Sequence, residues 1–172
     1  MKEQMITTER VFGIFSELNK IPRPSHHEER VADYLCHFAE RLNLAYERDK
    51  ENCVVIRKPA SKGYEGHEPI VLLNHMDMVC VGMSDPLNDP IEAYVEDGWM
   101  KARGTSLGAD NGIGLSMALA VLEAGFFVQH YPGIQIASIG PRIVEPHSTS
   151  ERVDLSTIED IWKVLIELLK RL

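Results

Sequence analysis

The stretch Pro69-Ile-Val-Leu-Leu-Asn-His75 constrains the fold of this chain more than any other. It is a continuous apolar run of strand length, without the alternation of a strand that is wet on one side, and it ends in a histidine. Runs of this kind suit a central strand buried on both faces, which requires helices to cover it. The rest of the sequence supplies such helices. Val11, Ile14, Phe15 and Leu18 recur at i, i+3, i+4 and i+7, which predicts a helix over 7–20 stopped by Pro22 and Pro24. A second helix is expected over 25–42. Ser25 and Glu28 are spaced as a capping box, and Val31, Tyr34, Leu35, Phe38 and Leu42 form a buried stripe. Helices over 111–123 and 157–171 complete the set, the last with Ile158, Ile161, Trp162, Leu165, Leu168, Leu169 and Leu172 on one face.

Short strands are expected at 44–48 and 53–57 around a turn at Lys50–Asn52, at 98–102, and at Ile134–Ile139. Residues 81–97 hold Pro86, Pro90 and five carboxylates and read as loop. Strands interspersed with helices predict an α/β fold, a mostly parallel sheet flanked by helices, in a single domain over 1–172. Charge narrows the function classes. Eighteen basic against 26 acidic residues give a net charge of −8, the wrong sign for general nucleic-acid or anionic-membrane binding. No apolar run has bilayer length, and the opening MKEQMITTER lacks a signal-peptide core. Cys36, Cys53 and Cys80 are odd in number and form no CxxC, which fits reduced thiols in a cytoplasmic protein.

Three segments carry candidate chemistry. In His75-Met76-Asp77, residues i and i+2 of an extended chain point the same way, so Asp77 can hold one imidazole nitrogen while the other binds a metal. A strand-end histidine hydrogen-bonded for structural reasons has the same pattern. In Gly108-Ala-Asp110-Asn-Gly-Ile-Gly114 the glycines follow neither GxGxxG nor the P-loop, which argues against a nucleotide. Asp110 there is either a helix N-cap or a carboxylate free to bridge two cations. His147 lies in a loop before the last helix, and no GxSxG elbow supports a serine nucleophile beside it. Taken together, two imidazoles and a carboxylate at the presumed sheet edge suit Zn²⁺ or a similar divalent ion.

These three segments, Ile70–Cys80, Gly104–Gly114 and Gly140–Val153, closely resemble the aminoacyl-histidine dipeptidases of the M20 metallopeptidase family, as does Ile21-Pro-Arg-Pro-Ser25. The resemblance implies that His75 binds one zinc, that Asp110 bridges two, that His147 binds the second, and that Asp77 orients His75 as part of the catalytic apparatus. Zinc is the implied cofactor, with manganese or cobalt as alternatives, and dipeptides such as Xaa-His are the implied substrate. Members of the family are more than twice this length. Between the segments equivalent to Asp110 and His147 they carry an EExG-type glutamate pair, general base and metal ligand, as well as a further aspartate ligand and an inserted lid or dimerisation domain. None of these is found here. The chain resembles the two ends of a dipeptidase joined near 122–125, so the family's dimer contact is expected to be lost. The Glu28–Glu29 pair belongs to a helix start. The functional expectations are three: a dipeptidase relative without its base, a folded scaffold without turnover, and a regulatory or interaction domain that keeps the metal loop for structure. Water or another side chain could fill a position left open, and Glu123, Glu145 and Asp85 are candidates by proximity in sequence only.

Overall fold

The computed structural model describes residues 8–60, 63, 65–66, 70–124 and 139–171. Helix α1 (Thr8–Leu18) buries Val11, Ile14, Phe15 and Leu18, the predicted stripe. Helix α2 (Glu29–Arg41) buries Val31, Ala32, Leu35, Cys36, Phe38 and Ala39. It begins later than expected because the capping box does not form: no side chain caps this helix. The Ser25 hydroxyl donates instead to Asp77 Oδ2 at 2.6 Å, and Glu28 accepts from the His26 N–H at 2.6 Å. Strands β1 (Ala45–Arg48) and β2 (Val54–Arg57) form an antiparallel hairpin beside α2, with Ala45 opposite Arg57.

Strands β3 (Ala93–Glu96), β4 (Trp99–Ala102), β5 (Ile143–Val144) and β6 (Arg152–Asp154) form one sheet in the order β3-β4-β6-β5. Every ladder in it is antiparallel. The mixed α/β class is therefore as expected, but the mostly parallel sheet is corrected: among the described residues the one parallel bridge joins Pro24 to Met78. Residues 70–77 belong to no helix or strand and have no ladder partner among the described residues. Their pattern is one-sided after all. Ile70 and Leu72 pack against the core, while Val71 is 78% and Leu73 89% exposed. The apolar run has the composition of a central strand, yet composition cannot supply the neighbours that would flank it. Strand β3 falls at the end of the 81–97 stretch expected as loop, where Pro86, Pro90 and five carboxylates dominate the composition; pairing with β4 overrides that. Residues 134–138 of the expected strand lie outside the described residues.

Helix α3 (Ala109–Ala124) packs on α1, and α4 (Leu155–Arg171) also meets α1. The start of α4 is capped by Asp154, whose Oδ1 accepts from the Ser156 N–H at 3.1 Å. Ile158, Trp162, Leu165 and Leu169 are its buried residues, whereas Leu168 is 41% exposed, at the rim of the predicted stripe. No described helix is long and apolar enough to cross a membrane.

Candidate metal centre

Three chain segments meet at the site, and backbone hydrogen bonds fix each of them. The segment after His75 is tied down at Met78, whose N–H donates to Arg23 O at 3.0 Å. It is held again at Val79 and Val81 by Ser106, whose hydroxyl donates to Val79 O at 2.7 Å and accepts from the Val81 N–H at 3.0 Å. Asn74 Oδ1 accepts from Asn111 Nδ2 at 3.0 Å, which joins this segment to the start of α3. There Asp110 (φ −89°, ψ 105°) and Asn111 (φ −112°, ψ 31°) depart from helical geometry, so the regular helix begins after them. His147 stands in a tight turn at φ +60°, two residues after Glu145 at φ +53°.

The side chains form a line. Ser25 donates to Asp77 Oδ2, and Asp77 Oδ1 lies 3.1 Å from His75 Nδ1. On its other side His75 Nε2 lies 3.2 Å from Asp110 Oδ1, and His147 Nε2 lies 3.6 Å from Asp110 Oδ2. The structure thus brings His75, Asp77, Asp110 and His147 together, and each carboxylate oxygen of Asp110 faces a different imidazole. The helix-cap alternative for Asp110 is not what its side chain does: among the described residues its partners are the two histidines. Burial pushes the Asp77 carboxyl up, but the hydrogen bonds from Ser25 and His75 outweigh it and hold it below the ordinary carboxylate value. Asp77 is therefore an anion at neutral pH and accepts the Nδ1 proton of His75.

That proton decides the chemistry of the other nitrogen. With Nδ1 as donor, Nε2 of a neutral imidazole carries a lone pair, and this lone pair is aimed at a carboxylate oxygen. At 3.2 Å the contact is an ordinary hydrogen bond when Nε2 carries a proton, and it leaves room for a shared ion when Nε2 does not. The spacing also fits a metal. Two donors sharing an ion at roughly 2.1 Å each and tetrahedral angles stand about 3.4 Å apart, and the observed separations of 3.2 and 3.6 Å bracket that value. The donor set fits two half-sites that share Asp110. Among the described residues no three His, Cys, Asp or Glu side chains converge as the shell of a single ion. The side chains of His75, Asp110 and His147 are 50%, 41% and 54% exposed, open to water and further ligands. A depression of about 300 Å³ lies along Tyr94, Lys101, Thr149, Ser150 and Arg152, and none of the three donors lines it.

The three carboxylates that the sequence offers as candidates for the open positions are occupied elsewhere. Glu123 is gripped by Arg10, with Nη2 to Oε1 at 2.6 Å. Asp85 closes the 85–89 turn by accepting from the Leu87 N–H at 3.1 Å and Asn88 Nδ2 at 2.8 Å. Glu145 faces Arg152 at 3.4 Å. Sequence reasoning missed two residues behind the site, Arg23 and Glu151, which are 1% and 3% exposed. Charged side chains are expected at the surface, so no local pattern marked them, although both lie inside the segments that carry the family resemblance.

No family model matches the chain. The cytosol non-specific dipeptidase of Escherichia coli (strain K12) is 44% identical over 121 residues, 68% of this chain and 25% of that protein. The crystal structure of aminoacylhistidine dipeptidase from Vibrio alginolyticus superposes with a TM-score of 0.67 at 36% identity, over 74% of this chain and 27% of the other. The aminopeptidase PepT of Bacillus cereus ATCC 10987 follows at a TM-score of 0.59 and 26% identity, over 70% and 32%. All three relatives are peptidases. The chain belongs to the M20 dipeptidase family. It spans about a quarter of the length of the curated relative it matches.

Proposed function

We propose that this chain is the metal-binding core of an M20-type dipeptidase, with His75 and Asp110 as donors to one divalent ion and Asp110 and His147 as donors to a second. Asp77 orients the His75 imidazole and raises its basicity, a common role for a carboxylate behind a histidine ligand. The observation that supports this most is the pair of imidazole nitrogens aimed at separate oxygens of one carboxylate, at 3.2 and 3.6 Å. Zinc suits two imidazoles and a carboxylate, and manganese and cobalt are the alternatives. A bound ion pair would supply Lewis acidity toward water and a scissile carbonyl. The substrate class, by the kinship with cytosol non-specific dipeptidase, is a dipeptide such as Xaa-His.

Among the described residues, the carboxylates weighed as a proton acceptor for that reaction, Glu123, Glu145 and Asp85, are all engaged elsewhere. A general base contributes typically about 10²–10⁴-fold. The reading is therefore a single-domain core that binds metal and turns over little or no dipeptide, with the join between its family-like ends near 122–125 and without the family's dimer contact. Two measurements test it. Cobalt(II) titrated into the protein should develop visible absorption that His75→Ala and His147→Ala each weaken, and featureless spectra would refute the metal site. Xaa-His hydrolysis in excess Zn²⁺, Mn²⁺ or Co²⁺ should stay at the metal-only blank. Turnover abolished by Asp110→Asn would show that another residue serves as base.

A further inference from the structure

The geometry points to Glu151 as the positioning residue of this site: one buried carboxylate, backed by the buried Arg23 guanidinium, fixes the loop that carries Asp110 and sets the His147 turn against it. The inference rests on the reading of His75, Asp110 and His147 as metal donors.

Four successive backbone N–H groups converge on Glu151. Its Oε2 accepts from Leu107 at 2.7 Å and Gly108 at 3.0 Å, and its Oε1 from Ala109 at 2.9 Å and Asp110 at 3.4 Å. An ionised carboxylate offers about four acceptor sites, so this one is fully used by the loop. From the other side Arg23 Nη2 donates to Gly108 O at 3.0 Å. The Gly108–Ala109 peptide is therefore held at both ends, its C=O by a cation and its N–H by an anion. Arg23 Nε and Nη1 find no hydrogen-bond partner among the described residues. Burial pulls the Arg23 guanidinium down to about 10, and Cys80, Glu151 and Asp77 act against this through space. Glycine at 108 is a condition of the grip. Its φ is +68°, and a Cβ there would stand 2.7 Å from Arg23 Nη2 and 2.6 Å from Met78 Sδ.

An ordinary helix cap is local and satisfies one or two N–H groups. Glu151 reaches this loop from 41–44 residues away. The chain on its own side leads back to His147. The Glu151 N–H donates to Ser148 O at 3.2 Å, and Ser148 Oγ donates to Glu145 O at 2.8 Å, closing the turn that contains His147. One residue thus registers both donors of the second half-site. Losing it frees Asp110 and His147 to move independently, and donors held within about half an ångström are what a metal site requires.

The test uses the whole chain with Glu151→Gln, which keeps the shape but turns one acceptor oxygen into a donor. Two readouts are followed, amide hydrogen exchange at 107–110 against amides in α1 and α4, and cobalt(II) affinity from visible absorption. The expected result is exchange at 107–110 at least tenfold faster with α1 and α4 unchanged, and cobalt affinity lower by about 10–100-fold. Cobalt affinity equal to the parent's, or faster exchange spread evenly through α1 and α4, would overturn the inference. If Glu151→Gln alone does not fold, the double variant Arg23→Gln/Glu151→Gln removes both buried charges together and is judged by the same criteria. If the parent chain binds no cobalt, the metal reading falls and exchange decides the clamp: a selective rise at 107–110 upholds it, and no rise overturns it.

Discussion

At the scale of single residues, Gly112 and Tyr34 give the sharpest tests. Alanine normally outdoes glycine inside a helix by about 0.5–1 kcal/mol. At Gly112 a Cβ would stand 2.7 Å from Phe15 Cε2 and 2.8 Å from Arg23 Nη2, both in the fully buried core. Overpacking should reverse the sign, so Gly112→Ala is expected to cost about 1–3 kcal/mol in urea denaturation. Gly140→Ala, with nothing within 4 Å of the added carbon, should stay within about 0.5 kcal/mol of the parent. Tyr34 donates to Glu17 Oε2 at 2.7 Å, and burial, reinforced by that hydrogen bond, pushes its hydroxyl above the ordinary tyrosine value. The folded state holds this proton more tightly than the unfolded chain does. Its contribution is complete below the unfolded value of about 10 and is lost as pH rises from there toward the folded value. Tyr34→Phe should therefore cost about 0.5–1.5 kcal/mol at pH 7–8. The gap to the parent should narrow between pH 10 and 11, and a constant gap would show that the bond carries no linkage.

Among the secondary-structure elements, the helices and the local β1–β2 hairpin are legible in the sequence and the distant strand pairings are not, for a physical reason. An amphipathic helix writes its buried face into its own sequence, so Val11, Ile14, Phe15 and Leu18 announced α1, and α4 declared Ile158, Trp162, Leu165 and Leu169. Leu165→Ala, at 7% exposure, should cost about 2–5 kcal/mol, while Leu168→Ala, on the 41% exposed rim, should cost well under 1 kcal/mol. Equal losses would mean that the helix is rotated. A strand's partner lies elsewhere in the chain. The run Ile70–Leu73 looked like a central strand, yet nothing in it states that Val71 and Leu73 face water. Strands β5 and β6, of two and three residues, are too short for any period to show. The same limit governs the site. His75, Asp110 and His147 were visible as motif residues. Ser25 looked like a cap because a hydroxyl's chemistry is the same whether it bonds a local N–H or Asp77, 52 residues away. The roles of Arg23 and Glu151 exist only once distant segments meet.

For the molecule as a whole, the question is whether its N-terminal and C-terminal parts unfold together. The apolar cluster runs without a break through α1, α2, α3, β4, β6 and α4, with Phe15, Ile113, Val153 and Ile158 all fully buried. Helix α1, from the first residues described, packs on α3 and α4. Strand β6 lies between β4 and β5, so residues 152–154 are stitched to residues 99–101. The charged links run the same way, since Arg10 holds Glu123 and the peptide at Gly108 is shared by Arg23 and Glu151. No element boundary separates the core into halves that could keep their apolar faces dry alone. Among the described elements the β1–β2 hairpin is peripheral, resting on α2. Urea unfolding should therefore be a single transition. The chain's two tryptophans report on its C-terminal half: Trp99 lies under the guanidinium carbons of Arg142 and Arg152 at 5.6 and 5.5 Å, and Trp162 is buried on α4. Far-UV circular dichroism reports on all four helices, including α1 and α2. Fluorescence and dichroism should trace the same midpoint and slope. A dichroism transition that lags or precedes the fluorescence change would mean that the N-terminal helices form a separate unit, and the single-domain reading would fall with it.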